Sequence, residues 1–188
     1  EIYSTLLYDD ISHLSPAAFP GGRERTVVVN GFTKSHTLTG WRTSFMAAPK
    51  DIIDTAARLQ SQVMGNPCTI SQAAMLQACQ QPLPDDHKVR MAAFTERRNY
   101  LVSAINKLPG ISLATPRGAF YALIDIRPIC EARRIDDAEA CKQLLEQHHL
   151  ALVPGGAFGI PGFIRSSFAA DMDSLKKAVE RLTAWANA

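Results

Sequence analysis

The chain has 188 residues, of which 46% are hydrophobic and 20% charged, enough apolar material for a packed core. A net charge of +2, with acids and bases interspersed, provides no basic stripe for nucleic acid. No apolar run approaches the roughly 20 residues of a bilayer span, and the first ten residues do not form a secretory leader, so neither membrane nor nucleic acid is expected as a partner.

A start at Glu1-Ile2-Tyr3, without Met, suggests a piece of something longer. Residues 12–25 are rich in Pro, Gly and charge and read as a surface connection. Thr26–Asn30 (TVVVN) is a short β-branched run bounded by Gly31, expected as a buried strand. Residues 43–48 are expected as a second strand, stopped by Pro49. Over 50–64, Ile52, Ile53, Ala56, Leu59 and Val63 recur at helical spacing and form one apolar stripe. Thr69 with Gln72 is a capping-box signature opening a helix to about Gln80, and the prolines of QPLPDD break the chain. A longer helix is predicted from Asp86 to Leu108, with Phe94, Leu101, Ile105 and Leu108 on one side and Pro109-Gly110 as its stop.

Beyond Gly110 the texture changes. Strands are expected at 111–115, 119–126, 150–153 and 163–168, and helices at 136–148 and 172–186, the latter capped by Asp171. This ββαββα order reads as a small α+β domain. Cys68, Cys79, Cys130 and Cys141 are scattered without metal spacing and fit reduced thiols in a cytoplasmic protein. His148 and His149 are adjacent, diverge on a helix, and are expected at its end.

The densest chemistry lies in Asn30-Gly31-Phe32-Thr33-Lys34-Ser35-His36 and Thr39-Gly40-Trp41-Arg42. An amine held away from water loses its preference for charge and becomes a nucleophile able to form a Schiff base with an aldehyde. Arg42, eight residues on, could grip a phosphate, with the Thr33 and Ser35 hydroxyls as further donors. The residues alone also suit an exposed loop lysine and an arginine in a surface ion pair, the more ordinary arrangement.

NGFTKSHTLTGWR closely resembles the cofactor-lysine segment of class I/II aminotransferases, the fold type I enzymes that use pyridoxal 5′-phosphate (PLP). The resemblance implies that Lys34 bonds the cofactor and that Arg42 binds its phosphate, with Thr33 as a contacting hydroxyl. Position 31, often a phosphate-binding Ser in the family, is Gly here. Glu1-Ile2-Tyr3 resembles the end of the family's Asp-Glu-Ile-Tyr strand, so Tyr3 would bond the cofactor's phenolic oxygen; the aspartate would lie before Glu1. A core tyrosine at a strand end fits Tyr3 as well. Pro116-Arg117-Gly118-Ala119-Phe120-Tyr121 resembles the family's PxGAFY strand, placing Phe120 either toward substrate or in the core. The run from Pro154 to Ala169 resembles the substrate-carboxylate segment, with Arg165 as its arginine. By residue type alone, Arg165 inside an apolar strand calls for a ligand or a buried acid. Asn66 and Thr69 resemble a segment that nears the site across the family's dimer interface.

The implied fold is α/β: the end of the PLP-binding large domain over residues 1–84 (parts of a mostly parallel sheet plus helices), a long interdomain helix over 85–110, and a small C-terminal α+β domain over 111–188. The implied activity is transamination between an amino acid and a 2-oxo acid, with the chain as the C-terminal half. It would belong to a homodimer in the complete enzyme, or pair with a complementing N-terminal half. Two alternatives stay open: a PLP-dependent carbon–sulfur β-lyase, and a non-catalytic half that only associates.

Overall fold

A computed structural model describes residues 1–188 and divides them into two compact units, Glu1–Arg90 and Met91–Ala188. The first unit opens with a connection that holds only short 3-10 turns, at Pro16–Ala18 and Arg23–Arg25, the first capped by Ser15 on the Ala17 amide. Strands β1 (Val28–Asn30) and β2 (Phe45–Ala47) then pair antiparallel, Val28 opposite Ala47 and Asn30 opposite Phe45. Both are shorter than the Val-rich run suggests. The burial expected of the first strand does not occur, since Val29 is 54% exposed; in β2, Phe45 and Met46 also face outward. Two strands alone cannot cover their own faces.

Helix α1 (Lys50–Val63) follows Pro49 and ends at Gly65, whose φ of 69° suits a residue without Cβ. Its predicted apolar stripe is present, yet no residue of the helix is buried. Helix α2 (Thr69–Gln80) starts one residue earlier than the capping box implies. Cys68 is the cap, and the Gln72 side chain donates instead to the Pro67 carbonyl at 2.8 Å. Helix α3 (Asp86–Ile105) begins after the Pro-rich break, and the residues to Leu108 wind into tighter turns.

The second unit is a finished α+β layer. Its sheet has the order β3 (Ser112–Leu113), β4 (Tyr121–Asp125), β6 (Phe163–Ser167), β5 (Val153–Pro154), antiparallel throughout. Burial alternates along β4, with Ala122 and Ile124 inward. Helices α5 (Asp137–His148) and α6 (Met172–Asn187) supply Ala140, Leu144, Leu175, Leu182 and Trp185 to the core, joined by Leu101 and Ile105 of α3. Asp136 and Asp171 cap these helices through the Glu139 and Ser174 amides, and His149 ends α5 in the left-handed region. A helix the sequence reading does not anticipate, α4 (Arg127–Arg133), carries Pro128 in its first turn, where a missing N–H costs nothing. At seven residues it is too short to set up a periodic pattern. No helix is long and apolar enough to cross a membrane.

Candidate active site

Lys34 sits in a closed turn directly after β1. The Asn30 side chain accepts from the Gly31 amide at 2.7 Å, which shapes the exit from the strand. A Cβ at Gly31 would lie 3.2 Å from the Thr43 carbonyl and 3.3 Å from Ser44 Cα, so a side chain there crowds the backbone leading into β2. The Phe32 carbonyl accepts from the His36 amide at 3.0 Å and the Leu38 amide at 3.4 Å, and the Phe32 and His36 rings meet edge-on at 4.9 Å. Lys34 and Thr33 are half-buried within this turn. Ser35 is buried, its hydroxyl 2.8 Å from His36 Nδ1 and its carbonyl accepting from Arg90 Nη2 at 3.0 Å.

Arg90 therefore ties the first turn of α3 to the residue after Lys34. Asp86 holds Arg90 from one turn earlier at 3.0 Å. The buried side-chain atoms lacking a hydrogen bond within the chain all belong to Thr5, His36, His87 and Arg90. Arg90 Nε is among them because its approach to Asp86 is an ion pair without hydrogen-bond alignment. Burial, reinforced by the Arg90 guanidinium, holds both His36 and His87 below the ordinary histidine value. This polar cluster leaves no pattern in the sequence, because its members, from Thr5 to Arg90, lie up to 85 residues apart.

Tyr3 belongs to the segment beside β1: the Glu1 amine donates to the Val29 carbonyl at 2.6 Å, and the Tyr3 carbonyl accepts from the Leu6 amide. Arg42 is exposed and adopts a left-handed φ of 49°, uncommon without a glycine. Its Nη1 donates to the Thr39 carbonyl at 3.0 Å, so the turn itself aims the guanidinium. Arg42 lines a cavity of about 470 Å³ with Val29, Ser44, Met64 and Asn66. Arg42 and Asn66 are thus brought together, whereas Thr69 is exposed at the start of α2.

Arg165 and Phe120 lie in the second unit. Arg165 is on the inner strand β6, opposite Leu123 of β4 and Val153 of β5. Its guanidinium lies 4.6 Å from the Tyr121 ring and 4.3 Å from the Phe158 ring. It is met by aromatic faces, not by a buried acid. Phe120 stacks against Phe94 at 5.7 Å and leans on Tyr121 at 4.8 Å. The sequence assigns no role to Tyr121 or Phe158, although both stand inside the segments singled out above.

The family model described as "Aminotransferase class I and II" matches residues 1–182. An aspartate aminotransferase of Rhizobium meliloti is 37% identical over 191 residues, covering 98% of this chain and 46% of that protein. A bifunctional aspartate aminotransferase and glutamate/aspartate-prephenate aminotransferase of Petunia hybrida is 38% identical, covering 97% and 40%. Among solved structures, the Rhizobium meliloti aspartate aminotransferase superposes with a TM-score of 0.91 at 35% identity, over 99% of this chain and 48% of that one. An aromatic aminotransferase of Pyrococcus horikoshii gives 0.86 at 31% identity, over 97% and 48%. The chain spans about half the length of these relatives. It belongs to the class I and II aminotransferase family.

Proposed function

We propose that this chain is the C-terminal half of a PLP-dependent aminotransferase whose complete form exchanges an amino group between an amino acid and a 2-oxo acid. Residues 1–84 are read as the end of the cofactor-binding domain, 85–110 as an interdomain helix, and 111–188 as the small domain. The donor set of the first unit fits the cofactor. Lys34 offers a primary amine for its aldehyde, Arg42 a permanent cation for its phosphate, Thr33 a hydroxyl for the same group, and Tyr3 a phenol for its ring oxygen. Bound there, PLP supplies the electron sink for charge developing at a substrate carbon.

The chain's own residues do the rest. Arg165 presents two parallel N–H bonds to the α-carboxylate common to all amino acids, and Phe120 lies one residue from the Tyr121 ring that flanks it. With the substrate so oriented, Lys34 Nζ takes the proton from the α-carbon as general base and, as general acid, passes it on instead of returning it, which is what turns an amino acid into a 2-oxo acid. The observation that carries this reading is the Lys34 turn, which is closed by its own backbone and followed eight residues later by an arginine aimed from a left-handed position. The relatives cited above are all named aminotransferases, which favours transamination over β-elimination.

The test is to incubate the chain with PLP, reduce with borohydride, and map the adduct by mass. The expected outcome is modification at Lys34. Labelling spread over Lys50, Lys88 and Lys107 with Lys34 spared would end the reading. Given the half-length match, the chain alone is expected to form no pyridoxamine phosphate from an amino donor. Turnover should require an N-terminal half, and robust activity without one would disprove that part.

A further inference from the structure

Asp137 has no place in the chemistry described so far, yet it is a buried carboxylate whose two oxygens serve a single loop. Oδ2 accepts from the Gly156 amide at 2.7 Å and Oδ1 from the Gly162 amide at 3.2 Å. These amides lie at the two ends of the turn that carries Phe158. The turn cannot be filled in from within. A Cβ at Gly155 would stand 2.3 Å from the Ile160 carbonyl oxygen, while Gly159 and Gly162 hold φ of 76° and 80°. The loop is thus a tight hoop, closed by backbone bonds from Gly159 to Gly156 and Ile160 to Gly155, with one carboxylate pinned across its mouth.

Phe158 is the side chain the hoop delivers. It is 47% exposed, so hydrophobic burial alone does not hold it in place, and its ring meets the Arg165 guanidinium at 4.3 Å while Tyr121 meets it at 4.6 Å. Rings on a guanidinium leave its edge as the open approach, and that edge matches a planar carboxylate. We propose that Asp137 is a positioning residue for carboxylate recognition: by clasping both ends of the Gly155–Gly162 hoop it holds Phe158 against Arg165 and so fixes the plane in which the arginine binds. This rests on the reading of Arg165 as the substrate-carboxylate arginine.

The electrostatics agree with the geometry. Burial pushes the Asp137 carboxyl up, but the Gly156 and Gly162 amides, with Asp137's own amide, outweigh it and hold the group below the usual carboxylate range, so it is ionised at neutral pH. The neighbouring Cys141 thiol feels the same environment and is pushed up to about 11 by burial and by the Asp137 charge. An ionised clasp makes two charge-assisted bonds, stronger than neutral ones.

The experiment uses the full 188-residue chain and the Arg165 Nε–Hε resonance, assigned by its loss in Arg165→Lys. In the unaltered chain, ring currents should displace this resonance from the ordinary arginine position. Asp137→Asn, nearly isosteric, is expected to abolish at least half of that displacement and to weaken binding of 2-oxoglutarate, titrated as the carboxylate probe, roughly tenfold. Asp136→Asn, which keeps a good helix cap, should leave the resonance in place. A folded Asp137→Asn chain with an unmoved resonance overturns the proposal. If 2-oxoglutarate fails to bind the unaltered chain while the resonance still answers to Asp137, the carboxylate reading of Arg165 falls and the clasp stands. Should Asp137→Asn not fold, Asp137→Ser, whose one oxygen cannot span the Gly156 and Gly162 amides together, tests the same link: loss of about half the displacement supports it, and no change overturns it.

Discussion

Helices α1 and α6 carry the same kind of apolar stripe and meet opposite fates. In α6, Leu182 and Trp185 are 2% and 1% exposed, Leu182 beside Ile124 and Ser166 of the sheet and Trp185 hydrogen-bonded to Gln143 of α5. In α1, Leu59 and Val63 are 64% and 70% exposed. The contrast extends to whole units: apart from Leu145, Phe158 and Ile160, every large apolar side chain left exposed lies between Glu1 and Arg90. A periodic stripe announces that a face will be covered, without naming what covers it. The second unit contains its own cover. The first, on the proposed function, belongs to a layer completed by the rest of a longer enzyme. The candidate chemistry divides the same way. Arg165 stands on a finished sheet, whereas Lys34, Arg42 and Tyr3 sit on turns around a two-stranded ladder.

The sharpest way to break this comparison is a pair of matched truncations. Trp185→Ala should cost the second unit about 3–5 kcal/mol, as large aromatic deletions in cores do. Leu59→Ala on α1 should stay within about 0.5 kcal/mol, as exposed substitutions do. Denaturant unfolding followed by amide hydrogen exchange reads the two units separately. Equal losses in both would mean that α1 is covered after all.

A second pair acts through the backbone. At Gly155 an added methyl meets two carbonyl oxygens at 2.3 and 2.7 Å, so Gly155→Ala should destabilise the second unit by about 1–3 kcal/mol. At Gly40 a Cβ finds nothing within 4 Å, so Gly40→Ala should be nearly neutral by thermal melting. A costly Gly40→Ala would show that the Lys34–Arg42 segment is packed more tightly than its surroundings indicate.

These pairs also mark where reading the sequence succeeds. The apolar spacing locates α1 and α6, and the capping-box signature α2, to within a residue or two, since both are local properties. Strand ends, the shift of the α2 cap to Cys68, and the short α4 depend on local competition that spacing does not record. At the site, Lys34, Arg42 and Arg165 stand out because their motifs are contiguous. Tyr121 does not, because its contact with Arg165 depends on register. Leu123 pairs with Arg165, and side chains two apart share a face, so Tyr121 falls on the arginine's side and Phe120 on the other. Asp137 and Arg90 act on loops 19 or more residues away, a distance only folding closes.

The smallest effect is the most discriminating, because acid should reach the two units in sequence. In the first unit, His36 and His87 are held below the ordinary value of 6.5 by burial first and by the Arg90 guanidinium next. The folded unit then binds fewer protons than the unfolded chain just below that value. Its stability is complete above pH 6.5 and declines as pH falls toward the folded values. In the second unit, burial pushes Asp137 up but donated N–H bonds hold it below the ordinary 3.8, and the Ser174 hydroxyl and amide hold Asp171 there too, so their contribution is full above 3.8 and lost only beneath it. Acidification from pH 7 should therefore speed exchange of amides 32–38, after correction for intrinsic rates, while the second unit stays protected until well below pH 4. Loss of protection in both units together would mean that the polar cluster around Arg90 does not hold the Lys34 turn, and that the two units share one stability.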